Sequence, residues 1–201
     1  MSKSPLLIVI AGPNGSEKTS ITSKLLNHDW IENSVYINPD NVANEMFGDW
    51  NSIDAIQKAA NYCDQLRENC LKENKSIIFE TVLSSQEKVE FILKAKQKGY
   101  FIRFFFVCTE SPIINAGRIA NRVLSGGHDV PITKIISRYS KSIANAFHLV
   151  SSIDRSYFYD NSYEVKEPKL LFRAQFDKVT KKYRKISDWA LPILNNLKNQ
   201  G

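Results

Sequence analysis

Eight consecutive residues, Gly12-Pro13-Asn14-Gly15-Ser16-Glu17-Lys18-Thr19, have the types and spacing of a loop that grips phosphate. In such a loop successive backbone N–H groups wrap the phosphate oxygens, and the helix that follows adds its positive pole. Lys18 then reaches the β and γ phosphates, Thr19 holds magnesium, and Ser20 completes the nucleotide-binding stretch. The pattern G-x-x-x-x-G-K-[ST] is met at every defined position except the second glycine, where Glu17 stands. A β-carbon there crowds the backbone, and a carboxylate repels polyphosphate. Two unit charges ~5 Å apart cost on the order of 3 kcal/mol at an effective dielectric of 20, roughly two decades of affinity. The plainer alternative, a glycine turn that only caps a helix, leaves the Lys-Thr pair without a reason.

Other residues could complete a transfer of phosphate to a hydroxyl, which needs an acceptor-orienting base, cations and exclusion of water. Asp40 follows a short strand, and Pro39 stiffens the turn that presents it. Its carboxylate suits a general base; it would equally suit the N-cap of a helix starting near Asn41. Glu80-Thr81 ends another strand, where a carboxylate either bonds substrate, holds magnesium through water, or pairs with an arginine. Arg118 and Arg122, four residues apart, share a helix face opposite Ile113, Ala116, Ala120 and Val123. With the loop Ser125-Gly126-Gly127-His128-Asp129 they suit a lid over 118–138 that clamps phosphate, and Arg138 adds a third cation. His128, a lone loop histidine, is a weaker substrate contact. Asp160-Asn161 reads first as a turn and second as a purine contact.

The elements that must position these groups alternate between strand and helix. Leu6 to Ala11 is a continuously apolar strand, Lys18 to Leu26 a helix, Val35 to Ile37 a short strand. From Ser52 to Leu71 the residues Ile53, Ile56, Ala60, Cys63, Leu66 and Cys70 predict one buried helix face. Ser76 to Glu80 is a strand, and Ser84 with Glu87 predicts a capping box for a helix that stops at Gly99. Tyr100 to Cys108 is too apolar for a sheet edge, Ser111-Pro112 opens a helix, and another runs from Pro131 to about Val150. Tyr157 to Tyr159 is the last core strand. A hairpin and closing helix occupy 169–198. The order specifies one α/β domain over 1–201 with a mostly parallel sheet.

Composition bounds the rest. The chain has 201 residues, 43% hydrophobic and 24% charged, which excludes a disordered or fibrous protein. Its 27 basic and 21 acidic residues leave +6, suited to an anionic partner. Cys63, Cys70 and Cys108 form no disulfide framework, and the two helix cysteines read as small core residues. No signal peptide or apolar run of ~20 residues appears, so a cytoplasmic protein away from membranes is expected. Trp30, Trp50 and Trp189 follow no base-stacking pattern, and nucleic acid is disfavoured as a partner.

With its flanks, Ala11-Gly12-Pro13-Asn14-Gly15-Ser16 resembles the loop of the zeta-toxin family of P-loop kinases. Asn38-Pro39-Asp40 and Phe79-Glu80-Thr81-Val82-Leu83-Ser84 resemble later segments of its smaller members. So do Asn121-Arg122-Val123 with Gly126-Gly127-His128-Asp129-Val130-Pro131, Arg138-Tyr139, and Tyr159-Asp160-Asn161-Ser162, all in the same order. The resemblance implies a three-layer P-loop NTPase kinase fold with five core strands, plus the small C-terminal hairpin and helix. It implies a small-molecule kinase using ATP (or GTP) and Mg2+, with Asp40 as base and Lys18, Arg118 and Arg122 around the phosphate. Glu80, Thr81, His128 and Arg138 become substrate contacts. In the characterised branch the acceptor is a UDP-N-acetyl amino sugar and the enzyme is a toxin restrained by an antitoxin. The lysines of Lys166 to Lys185 form a solvated face that would suit an acidic antitoxin. Glu17 sustains a second expectation, a catalytically weakened nucleotide- or partner-binding protein; a polynucleotide kinase or nucleic-acid module is a lesser one.

Overall fold

A computed structural model describes residues 4–28, 31, 33–48, 52–127, 129–163 and 167–199, with backbone alone at 198–199. His128, Trp30, Trp50 and Lys166 therefore lie outside the described residues.

The core is a sheet of β1 (Leu6–Ala11), β2 (Val35–Ile37), β3 (Ile77–Thr81), β4 (Phe101–Cys108) and β5 (Arg155–Asp160). These five run parallel in the order β2-β3-β1-β4-β5. The tail hairpin, β6 (Lys169–Gln175) and β7 (Lys178–Lys182), does not stand apart. It adds antiparallel to β5, and a two-residue β8 (Lys198–Asn199) closes an eight-stranded sheet. β1 and β4 are apolar on both faces because both faces are covered, which is what their unbroken hydrophobic runs require.

Helix α1 (Thr19–Leu26) covers one face, laying Ile21 and Leu25 on Ile8, Ile10, Ile78, Phe105 and Val107. The other face is covered by α3 (Ile53–Lys72), α4 (Gln86–Gln97), α6 (Ile132–Leu149) and the short α7 (Leu191–Asn196). Three layers result, as expected. Between them α2 (Pro39–Phe47) and α5 (Pro112–Leu124) stand at the carboxyl ends of the strands. Each begins with proline at its first turn behind a side-chain cap. Asn38 Oδ1 accepts from Asp40 N at 2.9 Å, and Ser111 Oγ accepts from Ile113 N at 3.2 Å.

Two predicted faces are rotated. On α3 the buried residues are Ala55, Ala59, Cys63, Arg67, Cys70 and Leu71, whereas Ile53 is 86% exposed. The shift follows from Arg67, whose guanidinium is buried over the rings of Phe79 and Phe91 at 5.2 and 5.5 Å. A charged residue on the core side conceals the face from any count of apolar spacing. On α5 the packed residues are Asn115 and Ile119, while Ile113 is 79% exposed and Ala120 is exposed. The capping box is also absent. Ser85, not Ser84, is the N-cap of α4, and its side chain makes no capping bond. All three cysteines are free and buried, in keeping with a core role.

Candidate active site

The phosphate-loop sequence leaves β1 at the point where the chain's course divides, β3 on one side and β4 on the other, where open α/β sheets bind ligands. Gly12 N donates to Thr81 O at 3.2 Å, tying the loop to the end of β3. A β-carbon at Gly12 would stand 2.0 Å from Val107 O of β4, and one at Gly15 2.6 Å from Asn115 O of α5. Both glycines also hold positive φ, 149° and 72°. The loop is thus clasped where only glycine fits. Glu17 has φ 57°, the left-handed conformation that the glycine of the pattern would adopt without strain.

Lys18 Nζ donates to Gly12 O at 3.0 Å and Pro13 O at 3.2 Å. Burial lowers its pKa, opposed by the carboxylates of Glu80, Asp40 and Glu17. A cavity of about 370 Å³ brings Lys18 and Thr19 together with Asp40, Glu80, Thr81, Arg122 and Arg138. Asp40 sits in the first turn of α2, and Asn38 rather than Asp40 caps that helix. Its carboxylate is left for the cavity.

Glu80 is held by two hydroxyl groups. Its Oε1 accepts from Thr22 Oγ1 and from Tyr36 OH, both at 2.8 Å, and Asn38 Nδ2 donates to Tyr36 OH at 3.1 Å. Burial and the carboxylates raise the Tyr36 pKa, so it remains a donor. The chain from Asn38 through Tyr36 to Glu80 couples the turn carrying Asp40 to the end of β3. Thr81 Oγ1 accepts from Leu83 N at 2.9 Å, which shapes the turn after that strand.

The helical pair α5–α6 supplies the cations. Arg138 Nη1 donates to Asn14 Oδ1 and Arg118 Nη1 to Gly15 O, each at 3.4 Å. Arg118 lies outside the first cavity and lines a second, of about 410 Å³, with Ser20, Asn121, Asn161 and Tyr163. Arg122 and Glu17 line both. Gly127 leaves room for Arg122, whose Cγ would be 2.5 Å from a β-carbon there.

Of the two asparagines that brace the loop, sequence reasoning missed Asn115 and read Asn161 as a turn residue or purine contact. Asn115, buried on α5, donates from Nδ2 to Asn14 O at 2.7 Å and accepts from Thr109 Oγ1. Asn161 Nδ2 donates to Ser16 O at 2.9 Å, which braces the loop. Asp160 is buried and bonds Ser162, Ser187 and Trp189, tying the tail to β5. A polar residue on the buried side of an amphipathic helix was the one available signal for Asn115. Replacing Asn115 with Ala leaves the Asn14 carbonyl and the Thr109 hydroxyl short of a partner. We expect melting to fall by several degrees and ATP affinity by about tenfold, measured by calorimetry.

A family model described as zeta toxin matches residues 1–165. An uncharacterised protein of Haemophilus influenzae is 28% identical over 138 residues, 66% of this chain and 91% of that one. The PezAT toxin–antitoxin structure of Streptococcus pneumoniae superposes with TM-score 0.64 at 17% identity, over 98% of this chain and 79% of that chain. AvrRxo1-ORF1:-ORF2 with ATP gives 0.64 at 15% identity, over 85% and 58%.

Proposed function

The chain belongs to the zeta toxin family, and on that premise we propose that it is an ATP-dependent kinase of a small-molecule hydroxyl. The carrying observation is the single cavity that joins Lys18 and Thr19 of the phosphate loop to Asp40, Glu80, Arg122 and Arg138. The glycine cradle at Gly12 and Gly15 and the half-buried Lys18 ammonium fit a polyphosphate. The Thr19 hydroxyl, which lines this cavity, would hold magnesium, and the ion would supply charge neutralisation to the phosphates.

Asp40 takes the proton from the acceptor hydroxyl as its oxygen bonds to the γ-phosphorus; the bond to the β-phosphate oxygen breaks and ADP leaves. Lys18 stays with the β and γ oxygens, and Arg122 and Arg138 meet the charge developing on the transferred group. Glu80, fixed by Thr22 and Tyr36, orients the acceptor through hydrogen bonds. We assign the acceptor to the nucleotide sugars, a UDP-N-acetyl amino sugar first. The similarity to PezAT, a toxin–antitoxin system, supports an antitoxin partner for this chain as well. Among the described residues no helix is long and apolar enough to cross a membrane.

Glu17 favours a second reading, a nucleotide-binding protein whose catalysis has been weakened. Labelled ATP with the chain and its Glu17→Gly variant, against acceptors including UDP-N-acetylglucosamine, separates the two. The kinase reading expects transfer to the sugar nucleotide, faster with the variant. ATP bound by both proteins but transferred by the variant alone supports the weakened reading; transfer to other hydroxyl compounds only would replace the acceptor class.

A further inference from the structure

The outer half of the sheet carries a pattern that the kinase cavity does not use. On the face covered by α1 near β1, the register of β4 to β7 sets Phe105, Tyr157, Arg173 and Lys181 in one row. In a neighbouring row Arg103 stands opposite Arg155. The rings of Phe105 and Tyr157 stack at 4.6 Å and 7°. The Arg103 and Arg155 guanidinium groups lie over Phe101 at 5.6 and 5.8 Å, and Lys181 Nζ lies 4.9 Å from the Tyr183 ring. Aromatic and cationic side chains therefore interleave across four strands. Arg155, Arg173 and Lys181 are exposed, Tyr183 is 40% exposed, and Tyr157 and Tyr159 are half-buried.

Like charges placed directly opposite destabilise a sheet, and here that happens twice, at Arg103–Arg155 and at Arg173–Lys181. Among the described residues no acidic side chain forms a salt bridge with Arg155, Arg173 or Lys181. Residues 169–185 hold seven basic residues and one acidic, a surplus of +6 that equals the surplus of the whole chain. A polyanion would relieve this repulsion. An acidic polypeptide would meet the cations and leave the rings unused. A single-stranded polynucleotide uses both, stacking bases on rings while cations follow its phosphates.

We propose that this face of β4–β7 docks a single-stranded polynucleotide, with Arg155, Arg173 and Lys181 on phosphates and Tyr157, Tyr159 and Tyr183 beneath bases. The surface lies across β1 from β3, which carries Glu80, and β2, which leads to Asp40, so it neither needs nor tests the kinase reading.

The test is fluorescence anisotropy with a labelled oligouridylate of about 20 nucleotides, without ATP. With these three cations engaged, the slope of log affinity against log salt is about −2.1, a fall of about 20-fold between about 50 and about 200 mM salt. Charge reversal by Arg173→Glu with Lys181→Glu should lower low-salt affinity at least about tenfold and cut that slope to about a third. Tyr183→Ala should weaken binding about fivefold and leave the slope unchanged. Lys58→Glu on α3, remote from this face, should change nothing, and circular dichroism should show every variant folded. Absence of salt-dependent binding, or indifference to the double reversal, overturns the proposal. Indifference to Tyr183→Ala, or equal displacement by polyglutamate, also overturns it and assigns the face to an acidic protein.

Discussion

Replacing Glu17 with Gly should raise ATP affinity by between about tenfold and about a hundredfold, and raise the melting temperature by a few degrees. The affinity gain is electrostatic. Glu17 lines both cavities at the mouth of the phosphate loop, and its side chain is exposed. A carboxylate ~5 Å from a phosphate costs about 1 kcal/mol at the dielectric of water and about 3 kcal/mol at an effective value of 20. An exposed group falls between these limits. The thermal gain has a separate cause, because Glu17 holds φ 57° where an L side chain is strained by about 1 kcal/mol or more. For a domain of this size each kcal/mol moves the midpoint by about 2–4 °C. Glu17→Gln separates the two effects: it removes the charge and keeps the strained backbone. Titration calorimetry should show Gln recovering most of the affinity with no gain in melting temperature, and Gly recovering both. Equal affinities for all three proteins would remove the charge argument.

What the sequence displayed, and what it hid, divides along a physical line. β1 and β2 were legible residue for residue, since unbroken apolar runs bounded by glycine and proline admit few other structures. The loop and Asp40 were legible because their chemistry is written in contiguous residues. Packing between distant segments was hidden. Arg67 reads as a solvated charge until Phe79 and Phe91 are folded against it. Asn115 and Asn161 reach loop residues 101 and 145 positions away, separations that carry no periodic trace. The same holds for the outer sheet face. Arg103, Arg155, Arg173 and Lys181 come from four strands, so no window along the chain contains the pattern that their register makes. The expected lid fared between these cases. Arg122 and Arg138 do line the cavity, yet Arg118 turns to Gly15 and to the neighbouring cavity.

Asp40→Asn should lower turnover by about a hundredfold to ten-thousandfold, the range a positioned general base supplies, while ATP binding is retained. The substitution keeps size and shape. It also leaves the start of α2 intact, since the capping acceptor is Asn38 Oδ1 and the Asp40 backbone N–H is its donor. Loss of a carboxylate from the first turn costs the helix only about 0.3–1 kcal/mol. The sign of the binding change carries the discrimination. Asp40 is one of the carboxylates that sustain the Lys18 charge, and it is also an anion in the cavity that receives a polyanion. Removing it lessens repulsion of the phosphates, so ATP affinity should hold or rise slightly as catalysis falls. A damaged fold would lower both together. Stopped turnover with undiminished ATP binding is therefore the outcome that identifies Asp40 as the proton acceptor; undiminished turnover would place that role elsewhere in the cavity, with Glu80 the next carboxylate to replace.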